Sequence, residues 1–204
     1  MLIDRPINVL TYHLYKNTLI PHKNIRVMRY GIYVLYSEFV KLAILTIFFS
    51  LIGTLNEFLF ALVILLLIRP YSGGIHFNSF MGCFLFTIGF FILNVAILPS
   101  LNYINNPSLY IVLFPINLLI IFLCSPMPSK HRPIKNKKTK NKYKYLATFF
   151  TAAIYTALLL TNIDPTFKAI GLWTINLQAI QLLIGGGVTR EKIQKTKLFS
   201  ILNS

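Results

Sequence analysis

The sequence predicts an all-α integral membrane protein, with six transmembrane helices and an N-terminal amphipathic interfacial helix in a single domain, 1–204. Three observations predict it. The chain is 55% hydrophobic and only 12% charged, less polar surface than a soluble globule of this size carries. Runs such as "ALVILLLI" and "IVLFPINLLIIFLC" suit hydrocarbon as solvent. The net charge of +15 is confined to the N-terminal arm, one connection and the tail. In a soluble protein that charge would suggest nucleic acid. Here it follows the rule that keeps Lys and Arg on the cytoplasmic side of membrane spans, so no nucleic-acid partner is expected.

The elements follow in order. Residues 1–30 form a basic arm holding Arg5, Lys16, Lys23, Arg26 and Arg29. Its stretch "PINVLTYHLYKNTLIP" has Ile7, Leu10 and Leu14 at helical spacing but is too short and polar to span, so it should lie on the inner leaflet and end at Pro21. "MLIDRPINVLTYHLYKN" shows neither the apolar core nor the small-residue site of a cleavable signal peptide. A span needs about 20 mostly apolar residues. Spans are predicted at roughly 32–52, 55–69, 79–98, 107–126, 145–162 and 167–187. The first two are separated only by "GTLNE", and one long helix is the competing reading. Five spans would put the basic arm opposite the basic tail. Six put the arm, the 70–78 connection, the 127–144 loop and the tail all in the cytoplasm, with both termini. The loops "PSLNYINN" and "NIDPT", which carry no Lys or Arg, fall on the other side.

The loop holds eight basic residues between Lys130 and Lys144. It reads first as a solvated segment enforcing topology, and second as a docking patch for an acidic peptide or anionic lipid. Gly185, Gly186 and Gly187 match no nucleotide-binding spacing and are expected to end the last helix.

Chemistry is concentrated in "RPYSGGIHFNSFMGC", Arg69 to Cys83. Cys83 falls in the first turn of the third span or just beyond, and a helix N-terminus favours negative charge there. His76 lies seven residues earlier, about 10 Å along a continuous helix at 1.5 Å per residue. Hydrogen-bond reach therefore requires the chain to fold back. Gly73 and Gly74 supply the backbone freedom. Irregular backbone at membrane depth survives only where protein or a wet cavity covers it, so "SGGIHFNS" should line a cytoplasmic cavity. The bland alternative is an interfacial His76 and a small apolar filler at Cys83. Cys83 and Cys124 both lie toward the reducing cytoplasm, where a disulfide is not expected, and the Cys and His spacings fit no metal site. No cofactor is expected. Glu38 lies within the first span, where an ionisable group is a functional candidate, with Lys41 one turn on as its structural partner.

These residues resemble the AgrB family, membrane cysteine endopeptidases of Gram-positive peptide quorum sensing. The family signature has an arginine, a Gly-rich turn, a histidine and a cysteine seven residues later. The resemblance covers essentially the whole chain, including the basic N-terminal region and the late basic loop "SPMPSKHRPIKNKKTK", and is specific at residue level over 69–83. It implies a single AgrB-like peptidase domain in the bacterial plasma membrane, acting as a homodimer among membrane lipids. It implies that Cys83 is the nucleophile and His76 its base, with Arg69, Gly73 and Gly74 as supporting motif positions. Either Asn78 or Ser72 is placed to orient the imidazole. The implied substrate is an AgrD-like propeptide, which loses its C-terminal tail and closes into a thiolactone or lactone. A transporter or channel subunit with a re-entrant Gly-Gly loop is the alternative from a different class.

Overall fold

The computed structural model describes residues 8–9, 12–13, 16, 22–75, 77, 79–101, 106–127 and 136–202, with the backbone alone at 22–24, 26, 27, 30 and 187–202. Its helices are α1 (His22–Ile52), α2 (Leu55–Ser72), α3 (Phe80–Ile92, prolonged by a π-helical turn, Leu93–Ile97), α4 (Pro107–Cys124), α5 (Lys137–Leu160) and α6 (Pro165–Leu202). Among the described residues six helices are long and apolar enough to cross a membrane, within 31–52, 55–72, 80–97, 107–124, 137–160 and 165–186. The chain divides into two units, residues 1–55 and 56–204.

In the first unit, α1 ends in a Schellman motif. Gly53 takes φ +81°, its N–H bonds Ser50 O at 3.2 Å, and the Thr54 N–H bonds Phe49 O at 3.0 Å. A single helix through residue 53 is thereby excluded. Glu38 pairs with Lys41 within α1. The described arm residues 8, 9, 12, 13 and 16 are helical, and residues 22–30 form the start of α1, ahead of its apolar stretch at 31–52. The expected stop at Pro21 lies outside the described residues.

In the second unit, side-chain caps start the helices. Ser79 caps α3, Asn106 caps α4 with Pro107 just inside, and Asn136 caps α5. Asp164 accepts from Thr166 N at 2.8 Å to start α6. Of the apolar stretch of α6, 67% is buried, against 17% for α4, so α6 is the central helix of this unit. It packs Leu172, Ile175, Ala179 and Leu182 against Ile64 and Ile68 of α2, Ile121 of α4 and Leu158 of α5. Leu85, Ile111, Leu119 and Phe149 point outward, as lipid contact requires.

α6 also buries polar side chains, each a potential interhelical tie in hydrocarbon. Asn94, in the π-helical turn, donates to Thr174 Oγ1 at 2.7 Å, and Asn117 donates to Asn176. The Tyr155 hydroxyl donates to Tyr110 O at 2.9 Å, tying α5 to α4.

Two expectations need correcting. Residues 137–144, expected in a loop, are the first two turns of α5. Lysine is a good helix former and Asn136 supplies the cap, so the charge that keeps this segment out of the bilayer does not unwind it. The three glycines at 185–187 do not end α6, which continues to Leu202. A Cβ at Gly185 would lie 2.5 Å from Met127 Sδ and 3.1 Å from Ile75 Cγ1, so this glycine permits a close approach.

Candidate active site

Arg69 and Cys83 lie at the two ends of one short connection. Arg69 is in the last turn of α2, where a cation complements the helix dipole. The helix ends three residues later, at Ser72. Gly73 N bonds Arg69 O at 2.9 Å, and Gly73 takes φ +80°, a conformation closed to most side chains. A Cβ there would also lie 3.0 Å from Met127 O.

This turn is clamped from two sides. Met127 N donates to Ser72 O at 3.0 Å. The buried amide of Gln178, on α6, donates to Ser72 Oγ at 2.9 Å and to Gly73 O at 2.8 Å. Ser72 is fully buried, and its hydroxyl donates to Gly73 O at 3.2 Å. That hydroxyl therefore serves the turn. Tyr71 stacks on Phe150 of α5 at 5.3 Å and lies 6.2 Å from the Tyr143 ring, which sets the lysine-bearing end of α5 beside the motif.

Gly74 is buried between two polar groups. A Cβ on it would lie 3.3 Å from Gln181 Nε2 and 3.4 Å from Arg69 Nε and Cζ. Any larger residue would push against the guanidinium or the amide. Ile75 then meets α6 at Gly185. His76 and Asn78 lie outside the described residues. Phe77, between them, packs its ring 5.3 Å from Phe86 of α3, and its side chain lies 3.4 Å from a Cβ built on Gly82. The described end of the connection thus packs on the first turns of α3.

Cys83 is where the sequence places it. Ser79 Oγ accepts from Gly82 N at 3.0 Å, and Ser79 O accepts from Cys83 N at 3.2 Å, closing the first turn. Thr87 Oγ1 donates to Cys83 O at 2.8 Å. The thiol is half-buried and not in a disulfide, as is that of Cys124 at the end of α4. Cys124 Sγ lies 4.0 Å from a Cβ built on Gly186.

The sequence reading missed Gln178, Gln181 and Met127. Its available signal was "TINLQAIQLL", in which Thr174, Asn176, Gln178 and Gln181 interrupt an apolar span. Polar groups in a span face the protein interior. Met127 offered no signal, because it contributes a backbone N–H.

The family model Accessory gene regulator B matches residues 7–182 of the chain. A putative AgrB-like protein of Clostridium beijerinckii is 31% identical over 181 residues, covering 87% of this chain and 86% of the relative. The accessory gene regulator protein B of Staphylococcus aureus strain Newman is 30% identical over 183 residues, covering 88% and 93%. Its counterpart in strain MRSA252 is 28% identical, covering 88% and 94%. No solved structure is significantly similar to the chain.

Proposed function

Because the chain belongs to the accessory gene regulator B family, of the agr quorum-sensing system, we propose that it is a membrane cysteine endopeptidase that cuts and cyclises an AgrD-like propeptide. The observation that carries this reading is Cys83 itself. It is a half-buried thiol in the first turn of a capped helix, at the end of a connection held by a buried hydrogen-bonded clamp. A rigid support of this kind is what a positioned nucleophile needs.

In the proposed mechanism His76 accepts the Cys83 thiol proton and Sγ attacks the scissile carbonyl. The C–N bond breaks, the imidazolium returns its proton to the leaving amine, and the C-terminal tail departs. The propeptide core remains as a thioester on Cys83. A cysteine within the core attacks that carbonyl, and the Cys83 thiol is regenerated as the thiolactone closes. Thioester exchange is nearly neutral in energy, whereas amide to thioester is uphill, so removal of the tail helps drive the first step. Water must be kept from the thioester for ring closure to compete with hydrolysis. Arg69, Gly73 and Gly74 hold the substrate side of the connection. We place the enzyme in the bacterial plasma membrane as a homodimer, with both termini cytoplasmic.

Alkylation tests the reading. Iodoacetamide near neutral pH is expected to modify Cys83 much faster than Cys124, with loss of propeptide cleavage tracking Cys83 modification. Mass mapping of the two sites against residual activity checks it. Equal rates at both thiols, or full activity after Cys83 is blocked, would instead suit a transporter or channel subunit.

The first turns of α5 supply a place for the acidic end of the substrate. Lys137, Lys138, Lys140, Lys142 and Lys144 lie there, and Tyr143 touches Tyr71 of the motif. Lys144 Nζ sits 3.7 Å above the Phe122 ring, which anchors this end of α5 to α4. Neutralising Lys137, Lys138, Lys140 and Lys142 is expected to raise the apparent KM and flatten its salt dependence, as exposed charges act over about 10 Å at 0.1 M salt. Unchanged KM at low salt in the neutralised protein would leave these lysines a role in topology alone.

A further inference from the structure

Gln181 has no role in the scheme above, yet its placement is unusual. The residue is 3% exposed, and neither Nε2 nor Oε1 has a hydrogen-bond partner among the described residues. One turn earlier on the same face, Gln178 spends its NH2 group on Ser72 and Gly73. Gln181 faces the next residue of the same connection. It and Arg69 converge on the bare side of Gly74, at 3.3 Å and 3.4 Å from the missing Cβ. A buried amide that pairs with nothing is destabilising, and methionine would fill a similar volume without the penalty.

We propose that Gln181, with Arg69, forms a subsite that binds the main chain of the substrate next to the cleaved bond. This rests on the peptidase reading for the class of ligand. The chemistry selects a peptide group. A primary amide offers two N–H donors and one carbonyl acceptor, the complement of a peptide C=O and N–H. A guanidinium offers five donors and no acceptor, so it can serve a substrate carbonyl in addition to its other contacts. A carboxylate on the same pair would use only donors and leave Oε1 unpaired. The turn covers the amide in the unliganded chain. A peptide strand reaches it by displacing the main chain at Gly74, beyond the clamp that Gln178 makes on Ser72 and Gly73.

The experiment measures binding without turnover. Cys83→Ala protein in nanodiscs is titrated with a fluorescent propeptide, alone and with Gln181→Met added. The added substitution is expected to weaken binding about tenfold or more, the usual size of a lost buried hydrogen-bond pair. The melting temperature should stay level or rise, because two unpaired polar atoms leave the core. A set of propeptides with single ester linkages near the cleavage site gives the second arm. One ester, which lacks the N–H, should weaken binding to the Gln181 protein and have no further effect on Gln181→Met. Binding within twofold of the parent overturns the proposal. So does a lower melting temperature accompanying weaker binding, which would make the amide structural. Should Gln181→Met fail to fold, an ester series with no sensitive position overturns it on the parent protein alone. Failure of the peptidase reading looks different, because wild-type protein would then leave the propeptide uncut whatever the binding result.

Discussion

Cys83→Ala is expected to abolish propeptide cleavage, a fall of at least about a thousandfold, with undiminished protein in the membrane. His76→Ala should fall as far, and the double variant no further, because a nucleophile and its base act as one unit and their losses do not add. The structural effect should be small. Cys83 is half-buried, its backbone N–H bonds Ser79 O at 3.2 Å, and alanine keeps that bond and suits a helix turn. The six apolar stretches that direct insertion are untouched. A tagged propeptide co-expressed with each variant gives the measurement. Release of the tail by either single variant removes the dyad from the mechanism. Cys124→Ala is the control, and full activity is expected of it.

How much of this was legible in the sequence depends on how local the determining physics is. A bilayer imposes a length and a composition on each span, so spans could be read from hydropathy, and the structure keeps each within a few residues except at α5. The break near residue 53 was legible too, because six spans keep the basic segments on one side and five do not; the structure ends α1 there with Gly53 at positive φ. The start of α5 was not. Hydropathy separates membrane from water and says nothing about whether a lysine-rich segment outside the bilayer is helical. The glycines at 185–187 misled for a related reason. Glycine at a helix end and glycine at a helix contact look alike until the neighbour is known, and here it is Met127, some 60 residues away. Cys83 could be placed because its cap, Ser79, is local. The Gln178 clamp on Ser72 and Gly73 joins positions more than 100 residues apart and leaves no periodic trace. What a single chain could offer was only the polarity of those positions within an apolar helix.

The proposed ring closure would separate this protein from an ordinary peptidase, and it can be interrupted between its two steps. If the core rests on Cys83 as a thioester, the second nucleophile comes from the substrate. With that substrate cysteine replaced by alanine, the tail should still be released, while the core stays attached to Cys83. In a site that keeps water from the thioester the adduct should accumulate. It should survive denaturation, disappear with hydroxylamine, and be absent from Cys83→Ala. A substrate serine should close more slowly, since a hydroxyl is a weaker nucleophile than a thiol at neutral pH. Mass spectrometry of the intact protein reads the adduct directly, as the mass of the core less water. Tail release with free linear core and no adduct at early times has two physical explanations. Either water attacks the scissile bond without a covalent intermediate, or the thioester forms in a site open to solvent. The two separate when a strong external thiol is added. A real thioester is captured as the thiol ester of the core, whereas direct hydrolysis yields only the free acid. Capture would keep Cys83 as the nucleophile with a thioester open to exchange, and its absence would leave a simple endopeptidase.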